Sequence, residues 1–169
     1  NLPKPLFDSI ESATIENLTL ESPELSGPNS RGTIANTATN STITNVYVKD
    51  LILTTGADKS AGIIGEATNV TVEQSSVTNF QITTSRHIRV SAIIGQMDGG
   101  SIKNCYVEGT INSIQTKDGN GISGILGHGL GTSPITIENC ISKTIFTNNA
   151  GPRLNGDIVG IMAIPNSVL

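Results

Sequence analysis

The chain is poor in aromatic and charged residues. Its 169 residues contain two tyrosines, three phenylalanines and no tryptophan, and only 14% of them are charged. A core for about one domain must therefore be built from Ile, Val, Leu and Ala, within the 36% of residues that are hydrophobic. No stretch shows the apolar spacing of a helix, whereas the β-branched residues and Asn favour short strands joined by turns.

Some classes of function are disfavoured by what the chain lacks. The net charge is −4 and Lys and Arg do not cluster, so we expect no nucleic-acid partner. No apolar run is long enough to cross a bilayer and no secretory signal is present, so we expect no membrane insertion. The chain opens at Asn1 without an initiator Met, which we interpret as a segment of a longer protein.

Two short phrases recur in phase along the chain. The first is Gly-Ile-Ile-Gly or a near copy, which begins at Gly32, Gly62, Ala92, Gly124 and Gly160. The second is centred on an amide residue, at Asn17, Asn45, Gln74, Asn104 and Asn139, with intervals of 28, 29, 30 and 35 residues. Such self-similarity indicates stacked repeats that bury their apolar faces against one another.

Each repeat holds three short apolar groups, as in Val72–Val77, Phe80–Thr83 and Val90–Gly95. Three strands in about 30 residues predict an all-β fold, a three-faced parallel β-helix with rungs about 4.8 Å apart. We predict about five rungs in a single domain over residues 1–169, with the repeat region at about 13–164. A right-handed coil is expected from the bias of parallel crossovers and from the family resemblance below.

The amide phrase predicts a corner of the coil. One apolar residue lies two positions before the Asn and another directly after it, and both can point inward only if the backbone bends there. Asn tolerates the left-handed conformation of such a bend, and its amide can bond the next rung. We therefore expect a buried structural ladder of Asn17, Asn45, Gln74, Asn104 and Asn139. In the neighbouring outward column, Glu73, Lys103 and Glu138 alternate in charge, which would support the register.

The recurring glycines are predicted to lie where a strand meets a tight corner and a Cβ is barely accommodated. These structural glycines are Gly32, Gly62, Gly65, Gly95, Gly124, Gly127 and Gly160. The Gly-rich stretch 121–131 lacks Gly-Lys-Ser/Thr and no helix follows it, so it does not indicate a phosphate-binding loop.

Insertions lengthen the last repeats near residues 118–120, 129–134 and 148–153. In a solenoid such insertions become loops, which often carry binding. The candidate binding residues there are Asp118, Asn120, His128 and Arg153. A passive surface turn remains the alternative for each loop.

No catalytic residue, metal ligand or cofactor is predicted in this segment. The isolated carboxylates fall at different phases of the repeat: Asp50, Asp58, Asp98, Glu108, Asp118 and Asp157. No pair has the fixed separation that glycoside hydrolysis requires, although a carbohydrate-active β-helix stays an alternative if three or more carboxylates converge.

His87 and His128 are interpreted as residues of separate loops, and no His-Glu-x-x-His is present. Cys105 and Cys140 are interpreted as reduced core thiols on consecutive rungs rather than a disulfide.

Several phrases resemble known repeats. Ser60-Ala61-Gly62-Ile63-Ile64-Gly65 and the stretch from Ser101 to Gly109 resemble the GLUG repeat of bacterial surface proteins. The opening Pro5–Ile10 with Ala13–Leu18 is similar to the start of that region in the immunoglobulin A1 protease family. These are large zinc metalloproteases of streptococci and relatives, exported and attached to the cell wall.

This resemblance implies a non-catalytic segment that precedes the protease domain. The family's His-Glu-x-x-His motif has no counterpart here, so no catalytic residue is carried over. The implied role is a spacer or scaffold on the cell surface, in contact with neighbouring domains of the parent chain and with a host glycoprotein such as immunoglobulin A1. The alternative is an adhesin-type GLUG-repeat segment unconnected to a protease.

Overall fold

The computed structural model describes residues 4–27, 31–85, 89–114, 121–147, 154–156 and 158–162. The described chain consists of short strands and turns. No helix in it is long and apolar enough to cross a membrane. The strands are β1 (Phe7–Glu11), β2 (Thr14–Glu21), β3 (Glu24–Gly27), β4 (Ala35–Thr39), β5 (Thr42–Lys49), β6 (Ile52–Thr55), β7 (Ser60–Ala61), β8 (Ile64–Glu73), β9 (Ser76–Thr84), β10 (Arg89–Ser91), β11 (Ile94–Lys103), β12 (Tyr106–Ser113), β13 (Gly121–Ser123), β14 (Leu126–Gly129), β15 (Ile135–Glu138), β16 (Ile141–Thr147), β17 (Leu154–Gly156) and β18 (Val159–Met162).

Every described strand pair is parallel and joins residues about one repeat apart. The central path of the larger sheet runs β16-β12-β9-β5-β8-β11-β14-β18, and a smaller sheet runs β17-β13-β10-β7. Ile64 pairs with Ile94, for example, and Val77 pairs with Val107. The predicted fold class is confirmed: the described chain is all-β, and its parallel sheets form a β-solenoid of about four turns.

The core is a set of apolar columns that run along the solenoid axis. Register places one residue of each repeat in the same column, as in Ile15, Ile43, Val72, Ile102 and Ile137. A second column, in register in the same way, contains Leu20, Val48, Val77, Val107 and Ser142. Side chains of the middle rungs are fully buried, and Phe80 is the largest of them. The core is therefore made of stacked Ile, Val and Leu, as the composition predicts.

Left-handed residues bend each of the first three repeats at three places rather than one. The middle bend is at the predicted amide positions, with φ between 50° and 56° at Asn17, Asn45, Gln74, Asn104 and Asn139. Five residues earlier lies a second column of positive φ, formed by Ser12, Asn40, Asn69 and Gly99. Five residues after the middle bend lies a third, formed by Ser22, Asp50 and Asn79. Where all three bends are present, they are therefore five residues apart, as at Asn40, Asn45 and Asp50.

The expectation that the amide ladder is buried is wrong. Asn45 is half-buried and the other four side chains are exposed. The left-handed residue adds an extra outward position to the strand. Val72 and Ser75 are both buried, and Glu73 and Gln74 lie between them. Some amides still bond across rungs, with Asn45 Nδ2 donating to Asn17 Oδ1 at 3.2 Å and Asn139 to Asn104 at 3.3 Å.

Glycine is required where backbones approach closely. A Cβ on Gly62 would lie 2.3 Å from the carbonyl oxygen of Ala92 on the next rung. Gly95 and Gly127 are similarly placed, because a Cβ on each would lie 2.7 Å and 2.6 Å from the carbonyl oxygen of the preceding glycine in the column. Real Cβ atoms do not reach such distances, so these positions admit only glycine unless the rungs move apart.

Candidate functional site

Glu66 is the centre of a polar cluster on the outer side of the Gly-Ile-Ile-Gly strands. Lys59 Nζ lies 2.7 Å from its Oε1, and Gln96 Nε2 donates to the same oxygen at 3.1 Å. Arg31 Nη1 lies 3.8 Å from Oε2. Because two cations and an amide surround this carboxylate, its charge is balanced within the protein, and its role is to join successive rungs.

His128 lies one rung beyond Gln96 in the same outward column, in strand β14. The interpretation of His128 as a loop residue is therefore wrong, because His128 pairs as a strand residue with Gln96 on one side and with Ile161 on the other. Burial and the positive charge of Arg89 lower the pKa of His128, with an opposing effect from Asp58. The imidazole is thus neutral at pH 7 and is half-buried.

Asp58 and Arg89 form an ion pair beside His128. Arg89 Nη1 donates to Asp58 Oδ2 at 2.8 Å. The other oxygen of Asp58 and Nδ1 of His128 are buried and have no hydrogen-bond partner among the described residues. His128, one of the predicted candidate residues, therefore lies close enough to the Asp58 carboxylate for their charges to interact. The guanidinium of Arg89 holds this carboxylate in an ion pair between residues about one repeat apart.

The other predicted loop residues lie outside the described residues. These are Asp118, Asn120 and Arg153, together with the insertion at 148–153. His87 and Asp157 also lie outside them.

The loop at 129–134 is described, and it is held against the preceding rung. Leu130 N donates to Met97 O at 2.7 Å, and Ser133 N donates to Asp98 Oδ1 at 3.0 Å. The Thr132 hydroxyl bonds the other oxygen of Asp98. Asp98 thus fixes this loop as a turn, which favours the passive alternative over a ligand-binding loop.

The described carboxylates do not converge on one surface. Asp50 accepts a hydrogen bond from Asn79 at 2.6 Å, Asp58 pairs with Arg89, and Glu108 accepts from Tyr106 at 2.5 Å. In the described ranges there is no group of three His, Cys, Asp or Glu side chains that could hold a metal ion. No carboxylate cluster therefore supports the carbohydrate-active alternative in this part of the chain.

Cys105 and Cys140 stand on consecutive rungs as free thiols. Lys103 pairs with Glu138 and Tyr106 with Ile141, so the two cysteines are direct neighbours. The hydrogen bond between the two thiols, together with burial, raises the pKa of Cys105. The same bond lowers the pKa of the half-buried Cys140 to about 7, against the opposing effect of its burial. Cys140 is therefore the more reactive of the pair.

Both tyrosines lie in one outward column, a feature that the sequence analysis missed. Tyr47 pairs with Ser76, and Ser76 pairs with Tyr106. Tyr47 is 38% exposed and Tyr106 is half-buried. The signal was present in the sequence, since positions 47 and 106 are separated by 59 residues, or two repeats.

Two polar grooves lie beside this tyrosine column. One, of about 540 Å³, is lined by residues that include Glu108, Lys143 and Thr144. The other, of about 310 Å³, is lined by residues that include Gln81, Asn112 and Thr147. Asn79, Gly109 and Thr110 line both, so the grooves form one depression on the outer face of β9, β12 and β16.

The depression lies where the third bend is lost, because β9 has this bend and the neighbouring β12 and β16 do not. Asn79 is the extra residue of β9, whereas β12 passes from Glu108 to Gly109 without one, and the register shifts there. A Cβ on Gly109 would lie 2.5 Å from the carbonyl oxygen of Phe80. The β12 backbone is therefore drawn inward beside a rung that bends outward, which leaves a hollow.

Comparison with known proteins gives one match to a family model and one to a curated protein. Residues 1–50 match the model of the M26 IgA1-specific metallo-endopeptidase N-terminal region. Zinc metalloprotease ZmpC of Streptococcus pneumoniae serotype 4 is 31% identical over 104 residues, which is 60% of this chain and 6% of that protein. No solved structure matches the chain.

Both matches agree with the resemblance predicted from Pro5–Leu18 and the repeats. The chain spans only a small fraction of the length of the curated relative, so the activity of that relative is not an observation about this segment. The predicted resemblance is confirmed: the first 50 residues are similar to the N-terminal region of M26 IgA1-specific metallo-endopeptidases.

Proposed function

We propose that this β-solenoid is a non-catalytic module of an exported, cell-wall-associated zinc metalloprotease. Its role is to act as a rigid scaffold that separates the peptidase domain from the cell surface and contributes to recognition of a macromolecular substrate. The observation that carries the proposal is the match of residues 1–50 to the N-terminal region of the metallo-endopeptidase family. The zinc ligands and catalytic glutamate would come from another part of the parent chain.

The structure supports a scaffold role in physical terms. Every described strand pair is parallel and each rung packs directly on the next, so the module resists bending along its axis. Several described charged groups form ion pairs with one another, as at Glu66 and Asp58. Such a surface is suited to holding domains apart and to presenting side chains at a fixed spacing.

The partners proposed for the module are the neighbouring domains of its own chain and a host glycoprotein, with immunoglobulin A1 as the first candidate. No cofactor is proposed for the segment. Zinc belongs to the proposed peptidase domain.

The second candidate is an adhesin-type binding segment unconnected to a protease. The observation that favours it is the exposed tyrosine column with its polar depression, which a spacer does not need. A His-Glu-x-x-His motif elsewhere in the parent chain would separate the two, because an adhesin has no use for it.

The proposal is tested with the parent protein and a variant that lacks residues 14–147. Zinc-dependent hydrolysis of a short unstructured peptide should have the same kcat in both, because the solenoid supplies no catalytic group. A fall in kcat of tenfold or more, with the peptidase domain still folded by circular dichroism, would contradict the non-catalytic assignment. A parent protein without peptidase activity would favour the adhesin.

A further inference from the structure

The tyrosine column forms a regular platform on the outer face of the solenoid. Tyr47 and Tyr106 are two rungs apart, which corresponds to about 9.6 Å along the axis. Ser76, the residue between them, has a small side chain that leaves the space between the two rings open. Ile141, 57% exposed, continues the column beyond Tyr106.

Tyr106 is held in place from two sides. Its hydroxyl donates to Glu108 Oε2 at 2.5 Å, and Lys143 Nζ lies 5.5 Å from the ring centroid. An aromatic ring that is already fixed loses little conformational entropy when a ligand packs on it. Tyr106 is therefore prepared for contact with a ligand.

The face carries no net charge to attract an ion. The outward column next to the tyrosines contains Glu21, Lys49, Thr78, Glu108 and Lys143 in register. Two carboxylates and two ammonium groups thus alternate along it, and Lys49 Nζ lies 4.0 Å from Glu21 Oε1. An uncharged ligand fits this face better than a polyanion or a polycation.

The backbone of β9 and β12 has no free edge for a peptide strand. β12 is paired with β9 on one side and with β16 on the other, whereas β16 is paired only with β12 among the described strands. A peptide that binds by strand addition would therefore have to add at β16, and recognition at Tyr47 and Tyr106 depends on side chains. Hydroxyl and amide side chains line the depression beside Glu108 and Lys143. They include Gln81 and Thr110, together with Asn79 and Thr144, which also bond Asp50 and Ser142.

We propose that this face binds a neutral carbohydrate chain. Sugar rings have apolar C–H faces that pack on aromatic rings and hydroxyls that bond amides and threonines, which are the two kinds of group present. Successive tyrosines about 9.6 Å apart fit alternate rings of a chain that runs along the solenoid axis, while the depression takes its polar edge. The inference deepens the recognition part of the proposed function, yet it holds for this segment whether or not its parent is a protease.

The test is an oligosaccharide titration monitored by tyrosine fluorescence. The chain has two tyrosines and no tryptophan, so its emission reports directly on the proposed platform. An array of neutral and N-acetylated hexasaccharides is screened first, and calorimetry then measures the affinity of those that bind. We expect saturable binding with a change in tyrosine emission, weakened about tenfold or more by Tyr47→Ala and by Tyr106→Ala.

The control variant is Phe7→Ala, which removes an aromatic side chain of similar exposure, 45%, from a different column. It should bind as the unmodified protein does. Absence of binding across the array, or binding that both tyrosine variants retain, would overturn the proposal. Tyrosine-dependent binding of an unglycosylated peptide library instead of the sugars would assign the face to a peptide and also overturn it.

The proposed function fails in a different experiment. Sugar binding by the isolated segment is independent of the peptide hydrolysis of the parent protein. If no oligosaccharide binds but the parent protein hydrolyses the peptide as expected, the segment remains a scaffold without this site. If the oligosaccharides bind but the hydrolysis results contradict the proposed function, the segment remains a carbohydrate-binding module.

Discussion

Single residues with left-handed backbone give the solenoid its turns. Asn, Asp and Ser occupy most of these positions because their short polar side chains tolerate positive φ at lower cost than Ala or a β-branched residue does. Since the side chains point outward, their amides bond across rungs in contact with water, as Asn69 does to Asn40 at 2.9 Å. Backbone preference, more than these hydrogen bonds, should therefore account for the residue choice.

This account predicts different effects of two substitutions at Asn45, where φ is 52°. Asn45→Ala should lower the free energy of unfolding by about 1 kcal/mol, because Ala is strained in the left-handed region. Asn45→Gly should change it by less than about 0.5 kcal/mol, since glycine adopts this conformation freely. Urea unfolding measures both. Equal losses would show that the amide hydrogen bond, and not the backbone, decides.

The close approach at Gly62 makes a second residue-scale prediction. Gly62→Ala should lower the free energy of unfolding by about 2 kcal/mol, because the new Cβ would lie 2.3 Å from a backbone oxygen that cannot move independently. Gly56→Ala is the matched control, since its Cβ would meet only Ser85 Oγ at 3.5 Å. Thermal unfolding of the two variants, compared in one buffer, tests the difference. Similar losses in both would contradict a steric cause.

Single residues also show how far the sequence could predict the bends. The middle column was found because apolar residues surround it in every repeat. The flanking columns had a signal in the five-residue spacing of Asn40, Asn45 and Asp50, which the sequence analysis did not use. The wrong expectation of burial arose because the left-handed residue adds a second outward position between two buried ones, as Gln74 does after Glu73 and between Val72 and Ser75.

At the scale of strands, neighbouring rungs couple side chains that are far apart in sequence. Lys103 pairs with Glu138 at 3.1 Å, as the alternating column predicted, whereas Glu73 accepts a bond from Asn104 Nδ2 at 3.3 Å. The cluster around Glu66 could not be predicted in the same way. Its cations, Arg31 and Lys59, precede the repeated strand at different offsets, so phase alone does not bring them together.

The cysteine pair gives a prediction at this scale. Alkylation of Cys140 should accelerate as the pH rises through about 7, because the lowered pKa makes its thiolate available there. Cys105→Ala removes the hydrogen-bond donor and should move this midpoint upward, towards the ordinary thiol range near 8.5. Mass spectrometry of iodoacetamide-treated protein at several pH values follows each site. An unchanged midpoint in the variant would show that Cys105 does not set the acidity.

At the scale of the whole molecule, stability should vary along the axis. β8 is paired along both edges, by β4 and β5 on one side and β11 on the other, whereas β2 pairs only with β5 among the described strands. The side chains of β2 are also exposed or half-buried, in contrast to those of β8. Stacked repeats gain stability from each neighbour, so middle rungs should open least often.

Hydrogen exchange tests this gradient. Hydrogen-bonded amides of β8 and β11 should exchange at least about tenfold more slowly than those of β2 and β3. The comparison uses rates corrected for local sequence, measured on the unmodified chain. Uniform protection from β2 to β11 would mean that the solenoid opens only as one cooperative unit, contrary to the nearest-neighbour account.

The fold of the whole molecule could be predicted from the repeat length alone, because repeats of about 30 residues determine which residues stack in each column. The proposed carbohydrate-binding face could not be predicted from the period, because its depression adjoins the bend lost between Glu108 and Gly109, which only the strand register reveals. The tyrosines share a phase in the sequence, but nothing there shows the depression beside them.

The central claim is that the solenoid serves recognition and positioning while the chemistry lies elsewhere in the parent chain. The most direct measurement is kcat/KM of the parent protein for a folded host glycoprotein, with and without residues 14–147. We predict a fall of about tenfold or more on deletion, mostly through KM, while hydrolysis of a short peptide is unchanged. An unchanged kcat/KM for the glycoprotein would contradict the claim.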